Sequence, residues 1–397
     1  MIAQSAFESD GSGYFLYHSI GMFPDKGKRI GEALAAFAAR WAMPDDAQWE
    51  YALGARQEFI DRWRTLINAG EGTLTSAENV TSALYTVINS LPSRCRAHRR
   101  ILIAADCFPS LHFLLAGMAA RHGFVLDTVP LRAGETWVRE EDLIAHWTPE
   151  VGVALLTTVT STASYRCDLD ALIVHGRRMG SLIGVDITQS VGLFPFDVQA
   201  AGVDFVVSTS LKWLGGTPGA GILYLRAPLL ETCEPELRGW FSQQNIFSWD
   251  LDAFAYAPDA HRFDNGTPSI LACVGTLPAL AWHAEQDGAA LLAHNRALAS
   301  LLIEGAADLG LRVASPLDEQ RRGGSTMFRL PPGTNQRVLA ELRVADLYAD
   351  CRGTTLRLSP GNVTSAEGVE RLLRVLARTL QEKRPETLSV TGLNDTH

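Results

Sequence analysis

A lysine set between two large apolar side chains, Leu211-Lys212-Trp213, is the residue of this chain best suited to chemistry. Lysine is rarely buried without a reason. A desolvated amine gives up its proton more readily and can then condense with an aldehyde. Three hydroxyl residues, Ser208, Thr209 and Ser210, precede it, and Asp186 closes an earlier apolar run, Leu182-Ile183-Gly184-Val185. A lysine to take the aldehyde, an acid to keep a pyridine nitrogen protonated, and hydroxyls and N–H groups to hold a phosphate are the parts of a pyridoxal 5'-phosphate site. The same residues suit a surface lysine beside a hydrophobic turn, with an aspartate serving as a turn residue. Taken alone they leave both readings open.

These residues need elements to hold them. Leu182–Val185, Val203–Val207 and Gly221–Leu225 are short apolar runs of strand length, and Ile101–Ala104 and Val151–Thr158 are two more. The run Leu169–Met179 has helical spacing, and strands alternating with helices over residues 80–225 predict a mostly parallel sheet with right-handed crossovers. Glu71 to Ser82 is a hydroxyl-rich loop feeding the helical run Ala83–Leu91. Such a loop is a natural phosphate cradle, because first-turn N–H groups are unpaired, though Thr75 or Ser76 suits an ordinary N-cap equally. Ile30–Trp41 and Ala52–Ile67 read as amphipathic helices, with Trp49, Tyr51, Phe59 and Trp63 expected in the core. Residues 270–310 read as helical. Gly323–Leu330, Val344–Tyr348 and Thr354–Leu358 read as strands of a small α+β unit, closed by a helix over Ala366–Lys383. The expected organisation is an N-terminal segment (1–45) packing with the small domain, a large cofactor-binding domain (46–270), a small C-terminal α+β domain (271–383) and a loose tail (384–397), with residues 1–13 a flexible lead.

Composition narrows the partners. A net charge of −9 across 397 residues argues against a nucleic-acid surface or an anionic membrane. Six scattered cysteines without a Cys-x-x-Cys pair fit reduced thiols in a cytoplasm better than a disulfide frame or a metal site. No apolar run approaches the ~20 residues of a membrane-spanning helix, and the first residues lack the basic and apolar regions of a signal peptide.

Asp186-x-x-Gln189, Gly192, Pro195, Asp197, Gly202-Val203-Asp204-Phe205, Ser208-x-Ser210-x-Lys212 and Gly215-Gly216-x-Pro218-Gly219 together resemble the core of the class V, fold-type I pyridoxal phosphate enzymes. Within that class the chain is similar to kynureninase. The shared pieces run in order from Tyr14-Phe15-Leu16 and Ser19-Ile20-Gly21, through Phe108-Pro109-Ser110, Gly239-Trp240-Phe241, Arg262-Phe263 and Gly266-Thr267, to Arg357-Leu358-Ser359-Pro360. The resemblance implies an α/β fold-type I transferase, with a mostly parallel central sheet and a smaller α+β C-terminal domain. It implies Lys212 as the Schiff-base lysine and Asp186 at the pyridine nitrogen. Gln189 would face the 3-oxygen, as in cysteine desulfurase-like members, and Phe108 would stack on the ring. Glu78, Asn79, Thr157, Thr209 and Ser210 would contact the cofactor, Glu78 through its N–H alone because its carboxylate repels phosphate. Trp240 and Thr267 would reach the phosphate of a neighbouring subunit, which implies a homodimer with shared sites. Ser19 and Arg357 would bind the substrate carboxylate, Arg357 as a bidentate pair.

The reaction implied is cleavage of a Cβ bond, C–S or C–C, of an amino acid in specialised metabolism, β-elimination of a cysteine conjugate foremost. The alternatives are a class V aminotransferase or decarboxylation-linked deaminase, and kynureninase proper. Against the last, Leu211 stands where kynureninases carry tyrosine, and no histidine occurs between His18 and His98. Against a cysteine desulfurase, no cysteine falls in residues 320–335, where its persulfide cysteine is expected.

Overall fold

The computed structural model describes residues 10–96 and 99–381. Seven strands form the main sheet: β1 (Leu74–Ala77), β2 (Arg100–Ala104), β3 (Val125–Val129), β4 (Val151–Thr157), β5 (Leu182–Asp186), β6 (Phe205–Thr209) and β7 (Gly221–Leu225). Their order is β1-β7-β6-β5-β4-β2-β3. The β3, β2, β4, β5 and β6 ladder is parallel, whereas β7 and β1 join antiparallel. The inner strands β4, β5, β6 and β7 are buried almost throughout. That is why they read as continuous apolar runs and not as alternating ones.

The pairing brings the functional ends together. Thr157 is in register with Asp186, Thr209 with Gly221, and Gly221 with Ala77. One edge of the sheet therefore carries Thr157, Asp186, Thr209 and the loop after Ala77, where ligands of open α/β sheets bind.

Four strands form a second, antiparallel sheet: β8 (Arg312–Val313), β9 (Thr326–Arg329), β10 (Asp350–Arg352) and β11 (Thr355–Leu358), in the order β10-β11-β9-β8. Its core of Phe328, Leu356, Leu358, Val369 and Leu372 also takes in Phe15 from the N-terminal segment. The expected strand over Val344–Tyr348 is not formed. Val344 ends the helix Asn335–Val344, Asp346 turns with φ 56°, and the strand begins at Asp350. Apolar content had outweighed the helical pull of the preceding residues. The strand expected from Gly323 begins at Thr326, and the closing helix is described over Ala366–Gln381. The proposed tail 384–397 and residues 1–9 of the lead lie outside the described residues.

The N-terminal segment ties the two sheets. Phe15 N–H donates to Tyr348 O, Ser359 N–H to Phe15 O, and Gly21 N–H to Leu211 O at 2.9 Å. A Cβ at Gly21 would lie 1.8 Å from Lys212 O, so only glycine lets the segment cross the lysine loop this closely. Gly215, at φ 77°, turns the loop that follows Lys212.

Candidate active site

Lys212 is presented by the turn after β6. Trp213 anchors it, buried beside Tyr17, Leu193 and Phe194, with its indole N–H donated to Gln189 Oε1 at 3.2 Å. The Lys212 Nζ lies 5.2 Å from the centroid of the Phe108 ring. Burial lowers its pKa from the ordinary lysine range to about 8; Asp186 opposes the shift and Arg357 adds to it. The amine is thus far easier to deprotonate than a surface lysine.

Asp186 ends β5 and is 5% exposed. Its Oδ1 accepts the Thr188 N–H at 2.9 Å. Burial raises its pKa, against the pull of Thr188 and of Lys212. Its hydrogen bonds come from Thr188 alone, and no described arginine, lysine or histidine forms an ion pair with it. A buried carboxylate without a cationic N–H partner is uncompensated, and a protonated pyridine nitrogen would supply that partner. The donor set therefore fits the cofactor expected at this site.

The expected phosphate end lies at the start of the helix Val80–Ser90. Asn79, in extended conformation, caps it: Asn79 Oδ1 accepts Ser82 N–H at 2.9 Å and Ser82 Oγ accepts Asn79 N–H at 3.2 Å. The side chain and N–H of Asn79 are therefore engaged in the cap, leaving the first-turn N–H groups behind them for an anion. Glu78 is exposed beside Thr267 in a cleft of about 400 Å³ that also includes Ser82 and Asn265. The Ser210 hydroxyl is turned into the interior, where it accepts the Trp63 indole N–H at 3.0 Å. Thr209 is buried at the end of β6, and Thr157 half-buried at the end of β4. Gln189 is held at both ends of its amide, its Nε2 donating to His18 O at 3.0 Å, which leaves one N–H of that nitrogen.

Trp240 belongs to an aromatic group. Its ring meets Phe241 at 4.4 Å and Trp49 at 6.4 Å, and Trp49 meets Trp41 at 5.4 Å. Trp49 and Tyr51, expected in the core, are 43% and 40% exposed. In the first turn of their helix, Trp49 meets Trp41 and Trp240 while Tyr51 meets Phe37, and Phe59 and Trp63 further along the helix are buried. Periodicity distinguishes faces of a helix, not which faces are covered.

At the other side, Arg357 of β11 is 7% exposed and its fork is already taken. Its Nε donates to Asp350 Oδ1 at 2.7 Å and its Nη2 to Asp350 Oδ2. His18 Nε2 lies 3.1 Å from Asp350 Oδ1, poorly aligned for donation. His18 Nδ1 and Ser359 Oγ are 2.6 Å apart, and Ser359 Oγ and Ser325 Oγ 2.6 Å. His18 and Arg357 together hold the Asp350 carboxyl far below the usual carboxylate range, against its burial. Burial lowers the His18 pKa, against the pull of Asp350. Ser19, its half-buried neighbour, turns through its N–H to Leu16 O. Sequence reasoning passed over His18 and Asp350. Nothing in Ala349-Asp350-Cys351 marks a site; only the β10–β11 register does.

Residues 55–372 match the model of the aminotransferase class-V family, and the chain belongs to that family. It is a pyridoxal phosphate-dependent enzyme of that class, similar to kynureninases. A kynureninase of Deinococcus radiodurans is 28% identical over 389 residues, covering 92% of this chain and 91% of that protein. An isopenicillin N epimerase of Streptomyces clavuligerus is 27% identical over 78% of this chain and 81% of its own. The apo cysteine desulfurase of Thermococcus onnurineus NA1 superposes with a TM-score of 0.82 at 18% identity, covering 92% of this chain and 94% of its own, a likeness of fold. Among the described residues no helix is long and apolar enough to cross a membrane, and no cluster of three metal-ligating side chains occurs.

Proposed function

We propose that the enzyme is a Cβ-bond lyase acting on an amino acid, cleaving a C–S or C–C bond. The observation that carries this reading is the Lys212 amine, drawn down to about 8 by burial and set against the Phe108 ring. When bound, the cofactor supplies an electron sink for charge developing at Cα. Lys212 would hold it covalently, and its free amine would move the Cα proton. Asp186 would hold the protonated pyridine nitrogen, Phe108 would cover one ring face, and the free Gln189 N–H would serve the 3-oxygen. The helix capped by Asn79, the Glu78 N–H and Thr209 receive the phosphate, Thr157 borders the ring, and the buried Ser210 hydroxyl supports the loop. Arg357 and Ser19 take the substrate carboxylate.

Two observations favour a lyase that forms no protein persulfide. Relatives named kynureninase span most of the chain. All six thiols are pushed up by burial, Cys351 beside Asp350 to about 11, so none is poised as a thiolate nucleophile. The half-exposed aromatic group and exposed Thr267 support a homodimer in which Trp240 and Thr267 reach the phosphate of a second copy. The unpaired cysteines support a reducing, cytoplasmic setting.

The test is a panel of cysteine conjugates and kynurenine offered to cofactor-loaded protein. Release of thiol, keto acid and ammonia in equal amounts from a cysteine conjugate, or of anthranilate and alanine from kynurenine, supports the lyase. Stoichiometric conversion of bound cofactor to its pyridoxamine form identifies an aminotransferase instead.

A further inference from the structure

The carboxylate site at Arg357 holds a carboxylate of the protein's own. Asp350 and Arg357 are direct cross-strand partners of β10 and β11, so backbone pairing, not a chance rotamer, sets them opposite each other. The contact uses both the Nε and the Nη2 side of the guanidinium, which is the bidentate geometry an α-carboxylate would use. What remains to Arg357 is Nη1, which lies 3.4 Å from Ser161 O. Charge is paired too: the Asp350 carboxylate and the Arg357 guanidinium form a one-to-one ion pair.

We propose that Asp350 is a specificity-determining residue: a resident carboxylate in the Arg357 fork that an incoming amino acid must displace. The inference rests on the assignment of Arg357 as the carboxylate site. Exchanging one carboxylate for another at the same fork yields little net binding energy. Amino acids carrying only an α-carboxylate and a small side chain are therefore held weakly, and the true substrate draws its affinity from a larger side chain. The displaced Asp350 has a receiver within reach, since His18 Nε2 is already 3.1 Å away but misaligned. His18, fixed through Ser359 and Ser325, positions Asp350 and touches no substrate in this scheme.

The experiment titrates L-alanine and propylamine into cofactor-loaded protein, read by visible absorbance, and propionate into cofactor-free protein, read by calorimetry. Asp350→Asn removes the resident charge while keeping the shape. It should tighten L-alanine and propionate about tenfold or more and leave propylamine unchanged. Asp350→Glu, which keeps the charge, should bind as weakly as the parent. Adding Arg357→Met to Asp350→Asn should erase the gain. If Asp350→Asn binds L-alanine no tighter than the parent while propylamine still binds, the inference is overturned; Asp350→Ser gives the same reading should the asparagine variant not fold. A gain for propionate without visible absorbance in loaded protein would keep the Asp350 assignment and sink that of Lys212. Absorbance without any gain would sink the Asp350 assignment alone.

Discussion

The two halves of this site are prepared in opposite ways. On the main sheet, Lys212 and Asp186 are buried with few partners: the amine is pushed down, the carboxyl is pushed up, and the carboxylate has no ion-pair partner among the described residues. On the small sheet, Arg357 and Asp350 satisfy one another before any ligand arrives, with His18 Nε2 close by. The first half is left electrically open to a resident cofactor and the second is closed against casual anions. A group that stays bound can complete a buried site permanently. A site that must release its ligand at each turnover is better served by a partner of its own when empty.

The comparison breaks first at Lys212. Lys212→Ala should abolish borohydride-stable cofactor attachment, read by mass spectrometry, and lower turnover by ~10²–10⁴-fold or more through loss of the proton-transferring amine. Turnover within tenfold of the parent would remove Lys212 from the open half. Next is Asp186→Asn, which keeps shape but removes the charge proposed to face the pyridine nitrogen. The cofactor dissociation constant should rise roughly 10- to 100-fold, the scale of one charged hydrogen bond. Equilibrium dialysis reads this, and an unchanged constant would mean that Asp186 is not the pyridine partner.

The open half was legible in the sequence and the closed half largely was not. Buried parallel strands announce themselves as apolar runs, so Asp186 and Lys212 could be placed at strand ends by reading along the chain. Asn79 was placed at the helix entrance, but its service as the cap was not foreseen; Thr75 or Ser76 was the alternative. The partnership of Asp350 with Arg357 depends on the register of two short strands, and the strand expected over Val344–Tyr348 had to shift to Asp350 for it to exist. His18 comes to it from the far end of the chain. Contacts made across sheets leave no local signature. Ser210 shows a second limit: a hydroxyl in the right tripeptide faces Trp63 because alternate residues of an extended strand point to opposite sides.

A smaller effect tests the openness of the first half through stability. With a folded pKa of about 8 and an unfolded value of about 10.4, Lys212 is protonated more readily in the unfolded chain across that window. Stability of the cofactor-free protein should therefore climb as pH rises from about 8 to about 10.4, by on the order of 1 kcal/mol per pH unit from this group. Below pH 8 its penalty is fully present. Lys212→Met should remove this slope and stabilise the cofactor-free protein at pH 7, measured by urea unfolding at several pH values. A parent and variant with parallel profiles would show that the amine is well solvated.

The smallest effect separates scaffold from ligand contact at the phosphate end. Asn79 spends its side chain and N–H on Ser82, so its first task is to cap the helix Val80–Ser90. Asn79→Ala should cost about 1 kcal/mol of stability, read by urea unfolding of the cofactor-free protein. Asn79→Asp, which can cap equally well, should restore that stability yet bring a negative charge to the helix entrance where the phosphate is received. Its cofactor affinity should therefore fall below that of the parent. If the aspartate variant regains both stability and cofactor affinity, the phosphate lies elsewhere, and the open half of the site ends at the pyridine ring.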